Sequence, residues 1–220
     1  MEVPLALEEL RDRIRHAGAD PSRVRVVAVT KTFGPAAVRA ALAAGLTDVG
    51  ENYLDELSAT RAATSDLRPA PRWHYLGALQ SNKVAGVVQV ADVVSSVSRV
   101  KEIDRLVRLG ARAEIDIQVD YIGRPERGGA RPDDVSDLVA RARDGGLRLR
   151  GLMTVAPAEP AGAQRAFGAL AELASRLDLR ELSMGMSDDL EWAVAAGSTE
   201  LRVGRALFGP RAPRPGAALT

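Results

Sequence analysis

The sequence predicts an α/β protein built as a single (β/α)8 TIM-type barrel with an extra N-terminal helix. Eight short apolar runs alternate with helix-like segments, and a length of 220 residues suits one domain of this kind. Strands that alternate with helices pair in parallel, and eight of them can close into a barrel. An open doubly wound sheet is the alternative. No GxGxxG motif follows the first strand, which weakens the dinucleotide-binding version of that alternative.

The elements follow from the spacing of apolar residues. Residues 5–17 carry apolar side chains at helical spacing among charges, which predicts an amphipathic helix on the surface of the barrel. Helices are also predicted at 35–45, 132–146 and 164–177, where Pro or Asp stands near several N-termini. The eight predicted strands are Val24–Thr30, Asp48–Gly50, His74–Leu76, Val93–Ser95, Glu114–Val119, Gly151–Thr154, Glu181–Ser183 and Leu201–Val203.

One domain is expected over residues 1–220, with its core at about 20–209 and a flexible tail at 210–220 that is rich in Pro, Gly and Ala. The composition, 46% hydrophobic and 27% charged, is that of a globular protein and not a disordered one. A net charge of +1 gives no overall field that would attract nucleic acid or an anionic membrane.

Several kinds of site are excluded or disfavoured by composition. Cysteine is absent, which excludes disulfides, thiolate metal sites and a cysteine nucleophile. With only two histidines, a transition-metal site is not expected. The N-terminus lacks the apolar segment of a signal peptide, and no run approaches the length of a membrane span. We therefore expect a cytoplasmic protein.

Lys31 is the main candidate for chemistry. The chain has 30 basic side chains, of which only Lys31, Lys83 and Lys101 are lysines. Functional groups of this fold lie at the C-terminal ends of the strands, and Lys31 directly follows the first one. Partial burial lowers the pKa of an amine, so that it can attack an aldehyde. The alternative is a surface lysine in a loop.

A phosphate site is predicted in the loops after strands seven and eight. This is where the fold usually holds phosphate, on backbone N–H groups at the start of a helix. Ser187 precedes the helix-like DDLEWAVAAG, and glycines nearby allow the backbone to approach an anion closely. Ser187 can equally be an ordinary helix start, and the two interpretations are compatible.

Two further residues have open roles. Arg202 ends a short apolar strand, where a charge is costly without a partner. Its guanidinium can face a ligand held in the barrel mouth, or pair with an acidic residue there. His74, within WHYLG (73–77), is as easily a core residue as a ligand contact.

Five motifs in order make the chain resemble the pyridoxal phosphate homeostasis proteins, which are similar to the N-terminal barrel of alanine racemase. The resemblance covers about residues 5–209. The motifs are VAVTKTF (27–33), GENYLDE (50–56), WHYLGALQSNK (73–83), GLMTVAP (151–157) and LSMGMSDD with GSTELRVGRALFG (182–209). Departures from the family pattern at Ala78, Ser98 and Arg127 concern the rim of the site more than the cofactor's closest contacts.

The resemblance implies that pyridoxal 5′-phosphate (PLP) is held on Lys31 as a Schiff base. It implies that Arg202 faces the pyridine nitrogen and that Asn52 and Met184 line the pocket. The implied phosphate contacts are Ser187, Gly204 and the Arg205 backbone, with Ser198 or Thr199 nearby.

The expected function is a PLP carrier in vitamin B6 homeostasis without efficient catalysis. The chain ends 16 residues after Gly204, so the second domain that supplies alanine racemase's other base is not expected. A permanently charged Arg202 would also make the cofactor a weaker electron sink. We expect a monomer that exchanges PLP with apo-enzymes or meets amino and keto acids.

The alternatives are a racemase-like PLP enzyme, with Tyr53 or His74 as its second base, and a barrel that binds another phosphorylated ligand without covalent chemistry. Hydrogen exchange at the α-carbon of an amino acid would favour the first alternative over a carrier. The absence of any borohydride-reducible adduct would favour the second.

Overall fold

A computed structural model of the chain describes residues 2–123 and 128–210, and it confirms the predicted closed barrel. All eight strands are parallel, and β8 pairs with β1 to close the sheet. The strands are β1 (Arg25–Val29), β2 (Asp48–Glu51), β3 (Arg72–Tyr75), β4 (Val93–Val97), β5 (Glu114–Val119), β6 (Arg148–Thr154), β7 (Glu181–Ser183) and β8 (Glu200–Val203).

The helices lie outside the barrel, and all but the first and the last of them connect successive strands. They are α1 (Val3–His16), α2 (Pro35–Ala43), α3 (Leu54–Ala63), α4 (Val84–Val90), α5 (Val100–Arg108), α6 (Val135–Asp144), α7 (Pro160–Arg176), α8 (Leu190–Ala195) and α9 (Arg205–Phe208). None of them, within the described residues, has the length and apolar character needed to cross a bilayer. Arg127 and the predicted flexible tail beyond Pro210 lie outside the described residues.

The predicted strands match the observed ones closely, and the largest difference is at β6. Its first residue is Arg148, three residues before the predicted start. Arg148 and Arg150 are charged, so this part of the strand does not form the apolar run by which strands are predicted. The structure shows why charges occur there: both side chains form ion pairs with acidic residues of the neighbouring β5.

The extra N-terminal helix α1 is confirmed and packs against α8 and α9. Its buried face carries Leu7, Leu10 and Ile14, whereas Leu5 lies on the solvent side. The Arg13 side chain donates a hydrogen bond to the carbonyl oxygen of Ser187 at 2.9 Å. The helix therefore supports the loop in which the phosphate site is predicted.

The two faces of the barrel strands differ in character. Ile115, Ile117 and Val119 of β5 are buried in the apolar core shared with the helices. Because side chains alternate along a strand, the intervening residues point into the barrel. There the buried residues are largely charged or polar, in contrast to the branched apolar side chains that usually fill this fold. They include Asp48, His74, Asp116, Glu200 and Arg202.

Candidate functional site

Lys31 lies at the mouth of the barrel, two residues beyond the end of β1, and is partly buried. Thr32, the next residue, has a φ of 70°, which is rare for a β-branched side chain. Such a conformation costs about 1–3 kcal/mol and persists where the surrounding structure holds it. The backbone that carries Lys31 is therefore held in an uncommon conformation.

Residues on both sides of Lys31 bind carboxylates from the segment 50–56. The Thr30 hydroxyl donates to Glu51 Oε1 at 2.8 Å, and the Thr32 N–H donates to Glu56 Oε2 at 3.4 Å. Burial of Glu51 raises the pKa of its carboxyl group to about 7, although the Thr30 hydrogen bond and the charge of Lys31 lower it. Our interpretation of the sequence did not single out Glu51. A carboxylate that ends an apolar strand next to a candidate lysine could have indicated it.

Asn52 follows β2 and is positioned by Gly77, which follows β3. A Cβ atom on Gly77 would overlap the backbone oxygen of Asn52, so only glycine fits between the two strand ends. The Asn52 side chain is partly buried at the mouth. The next residue, Tyr53, is 44% exposed at the rim.

Replacing Gly77 by Ala is expected to lower the free energy of unfolding by about 1–3 kcal/mol, because the new methyl group must displace backbone. Gly168→Ala is the matched control. A Cβ at Gly168 meets no atom within 4 Å, and the helical position favours alanine by up to about 1 kcal/mol. Urea denaturation measures both changes. Equal stability of the two variants would contradict the close approach of Gly77 to Asn52.

Arg202 is a buried cation that points into the barrel below the mouth. Its guanidinium donates to the Ser183 carbonyl oxygen at 2.6 Å, the Ser183 hydroxyl at 2.9 Å and the Thr154 carbonyl oxygen at 2.7 Å. Burial lowers the pKa of Arg202, and nearby acidic groups oppose that shift. Within residues 2–123 and 128–210, no carboxylate lies within 4 Å of its nitrogens. A buried positive charge with only carbonyl and hydroxyl partners is a frequent sign of a functional site.

The loops after β7 and β8 bring hydrogen-bond donors together. The Ala206 N–H donates to the Ser187 hydroxyl oxygen at 3.2 Å, which joins the two loops. Among the hydrogen bonds of the described residues, none starts from the N–H of Gly204 or of Arg205. The Arg205 side chain pairs instead with Asp188. Two N–H groups that lack acceptors, beside a serine hydroxyl, suit the oxygens of a phosphate.

Two of the predicted phosphate contacts, Ser198 and Thr199, lie away from the loop that follows β8. Ser198 and Thr199 precede β8, at the opposite end of that strand from Gly204. Ser198 Oγ donates to the Met184 carbonyl oxygen at 2.6 Å, and Thr199 Oγ1 accepts from the Leu182 N–H at 2.8 Å. Both hydroxyls hold the β7–β8 pair together, at the end of the barrel opposite to the predicted phosphate site.

The prediction for Met184 also needs correction. Its side chain has no exposed surface and belongs to the apolar core between the barrel and the helices. Successive residues of a strand face opposite sides, and Met184 follows the inward-pointing Ser183. Met184 therefore supports the site from outside the barrel and does not line its mouth.

His74 is a core residue of the barrel interior. It is fully buried, its Nε2 lies 2.9 Å from Asp48 Oδ1, and its Nδ1 lies 4.0 Å from Glu200 Oε1. This placement removes His74 as a second base at the mouth. The described residues contain no group of three or more His, Cys, Asp or Glu side chains that could hold a metal ion.

The chain has relatives along almost its whole length. The family model described as the alanine racemase N-terminal domain matches residues 5–212. The pyridoxal phosphate homeostasis protein of Pseudomonas aeruginosa is 41% identical over 211 residues, which cover 92% of this chain and 91% of that protein. The one from Escherichia coli K12 is 34% identical over 224 residues, covering 93% and 95%.

Solved structures agree with these relatives. PipY of Synechococcus elongatus, determined with PLP bound, has a TM-score of 0.83 at 34% identity and covers 94% of this chain and 100% of PipY. Lysine/ornithine decarboxylase of Vibrio vulnificus has a TM-score of 0.68 at 13% identity over 93% of this chain and 62% of the enzyme, and shares the fold alone. The chain belongs to the pyridoxal phosphate homeostasis proteins, in the family of the alanine racemase N-terminal domain.

Proposed function

We propose that this protein binds PLP as a Schiff base on Lys31 and acts in intracellular PLP homeostasis, as a carrier and not as an efficient enzyme. One observation carries the proposal: Lys31, the buried cation Arg202 and the donor group around Ser187 and Gly204 all belong to the carboxyl half of one closed barrel. The relatives named for PLP homeostasis and the PLP-bound structure of PipY support it.

The residues present fit the three functional parts of PLP. The cofactor supplies an aldehyde that an amine can capture, an electron-accepting pyridine ring and a phosphate. Lys31 would provide the amine, and Arg202 would donate a hydrogen bond to the pyridine nitrogen. Ser187 and the N–H groups of Gly204 and Arg205 would bind the phosphate.

Arg202 also favours a carrier over an enzyme. A guanidinium keeps its proton, so the pyridine nitrogen would accept a hydrogen bond without becoming charged. Arg202 would therefore favour loss of a proton from a bound amino acid less than an acidic residue at the same position would. Since His74 is held in the interior by Asp48, Tyr53 is left as the second base of a racemase-like enzyme. Apo-enzymes and amino or keto acids are the proposed partners in exchange.

The decisive experiment reduces the protein with borohydride in the presence of PLP and maps the modified peptide by mass spectrometry. We expect a visible absorption band before reduction and a pyridoxyl group on Lys31 afterwards. Lys83 and Lys101 are internal controls, since they are the only other lysines of the chain. Modification of either control to the same extent, or no adduct at excess PLP, would contradict the proposal.

The racemase-like alternative has its own test. Exchange of the α-hydrogen of an amino acid with deuterated water, abolished by Tyr53→Phe, would identify an enzyme with Tyr53 as its second base. A carrier gives no such exchange above the rate of free PLP.

A further inference from the structure

The carboxyl group of Glu51 has no assigned role in the site, although it is buried beside the candidate lysine. Glu51 is 1% exposed. One oxygen accepts the Thr30 hydroxyl at 2.8 Å, while Oε2 is buried and has no hydrogen-bond partner in the described residues. A neutral carboxyl group tolerates this environment far better than a carboxylate does. How well the buried site accommodates Glu51 therefore depends on whether the carboxyl group carries a proton.

Among the described residues, the charged or titratable groups that act on Glu51 or lie beside it are few. They are Lys31, two residues beyond β1, Glu56 in α3 and, on β3, Tyr75, which is the register partner of Glu51. After burial, which is the main cause, the negative charge of Glu56 also raises the pKa of Glu51, and the positive charge of Lys31 lowers it. Because this interaction is mutual, a negative Glu51 favours the charged form of Lys31.

The segment that carries Lys31 is held on its other side as well. The Thr32 N–H donates to Glu56, and the left-handed backbone of Thr32 restricts how the chain leaves Lys31. The hydrogen bonds of Thr30 and Thr32 thus both end on residues of the segment 50–56, in which the GENYLDE motif occurs. A change in the Glu51 hydrogen bond therefore acts on a backbone that has little freedom to adjust.

We propose that Glu51 is a positioning residue for Lys31. The Glu51 carboxyl group holds the end of β1 through Thr30, and its protonation controls how readily the Lys31 amine loses its proton. The inference deepens the proposed function, since it concerns the same lysine, but its test requires no PLP. Below about pH 7, Glu51 is neutral and does not stabilise the Lys31 ammonium. Above that pH, the Glu51 carboxylate stabilises the ammonium and slows capture of an aldehyde.

The test is competitive acetylation of the protein without PLP, from about pH 5 to about pH 9, with each lysine quantified by mass spectrometry. Lys83 and Lys101 in the same molecule serve as references. In the natural protein, we expect the reactivity of Lys31 relative to Lys83 to fall about threefold or more as pH rises through about 7, since one pKa unit corresponds to tenfold in free amine. In Glu51→Gln, whose amide resembles the neutral acid, this fall should disappear.

Two further variants make the result specific. Asp55→Asn removes the same charge from the same segment, and should keep the fall at about pH 7 because Asp55 is not among the groups that act on Glu51. Glu56→Gln should move the fall to lower pH, because the negative charge of Glu56 raises the pKa of Glu51. It also gives an independent test if Glu51→Gln fails to fold.

The results separate the two proposals. A pH profile that is the same in Glu51→Gln as in the natural protein, or unmoved by Glu56→Gln, would overturn the role of Glu51. If the Glu51-dependent fall is seen and borohydride leaves no PLP on Lys31, the proposed function fails and the inference stands. If PLP is found on Lys31 and the fall is absent, the function stands and the inference fails.

Discussion

Replacing Arg150 by Met is expected to lower the free energy of unfolding by about 3–5 kcal/mol, because it leaves the buried carboxylate of Asp116 without its counter-charge and removes one of the two arginines that pair with Glu200. The side chain of Arg150 is 6% exposed. It donates to both oxygens of Asp116, at 3.1 Å and 2.8 Å, and to Glu200 Oε2 at 3.1 Å. Burial opposes the charge of Arg150, but the two carboxylates outweigh it and raise its pKa.

The control is Arg148→Met, two residues earlier on the same strand. Arg148 pairs with Glu114, but the Arg148 side chain is 65% exposed. Water can therefore solvate Glu114 in the variant, and the free energy of unfolding should fall by less than about 1 kcal/mol. Urea denaturation gives both values. A second replacement, Asp116→Leu in the Arg150→Met protein, should recover part of the loss, since it removes one of the stranded charges.

The decrease in the free energy of unfolding caused by Arg150→Met should also depend on pH. Burial raises the pKa of Glu200, but the neighbouring His74 and the charge of Arg150 outweigh burial and lower it. A carboxylate with a depressed pKa contributes stability above its unfolded pKa, and that stability is lost as pH falls through the folded value. In Arg150→Met part of this contribution is already absent. The difference in free energy of unfolding between the natural protein and Arg150→Met should therefore become smaller in acid. A loss below about 1 kcal/mol at neutral pH would show that the barrel interior does not depend on this network.

Replacing Arg202 by Gln is expected to weaken PLP binding about 10- to 100-fold, the usual value of a hydrogen bond to a charged group in a buried site. Arg202 donates hydrogen bonds to the carbonyl oxygens of Ser183 and Thr154, and no carboxylate of the described residues lies within 4 Å of its nitrogens. Its guanidinium is therefore not held in a direct ion pair that an electron-rich ligand atom would have to displace. The dissociation constant follows from titration of the visible absorption of the protein with PLP.

Arg205→Gln is the matched control for Arg202→Gln. The side chain of Arg205 is 56% exposed and pairs with Asp188, while only its N–H is proposed to meet the phosphate. We expect less than about a threefold change in the dissociation constant of this variant. Equal affinity of the Arg202→Gln and natural proteins would remove Arg202 from the proposed site. A large loss in Arg205→Gln would instead assign the phosphate to its side chain.

The order and number of strands could be predicted because short apolar runs between helical segments are local features of a sequence. The position of Lys31 at a strand end followed from the same pattern, together with the rule that this fold places its site at the carboxyl ends of the strands. The motifs around Lys31, Ser187 and Arg202 indicated the family, which the comparisons confirm.

Which side of a strand a residue faces, and which end of it, depended on the tertiary structure. Ser198 and Thr199 are close to Gly204 in the sequence, but a strand of about 3.3 Å per residue separates them along the barrel. Met184 is adjacent to the inward-pointing Ser183, and the pleat turns it to the outside.

The charged interior was likewise beyond reach of local patterns. Arg150 meets Asp116 and Glu200 across 34 and 50 residues of sequence, and only closure of the barrel brings the three together. The same applies to Glu51, whose distance in sequence from Thr30 is 21 residues. Local sequence thus determined the strands, their order and the lysine. Closure of the barrel decided burial, charge pairing and the environment of that lysine, because these depend on contacts between distant strands.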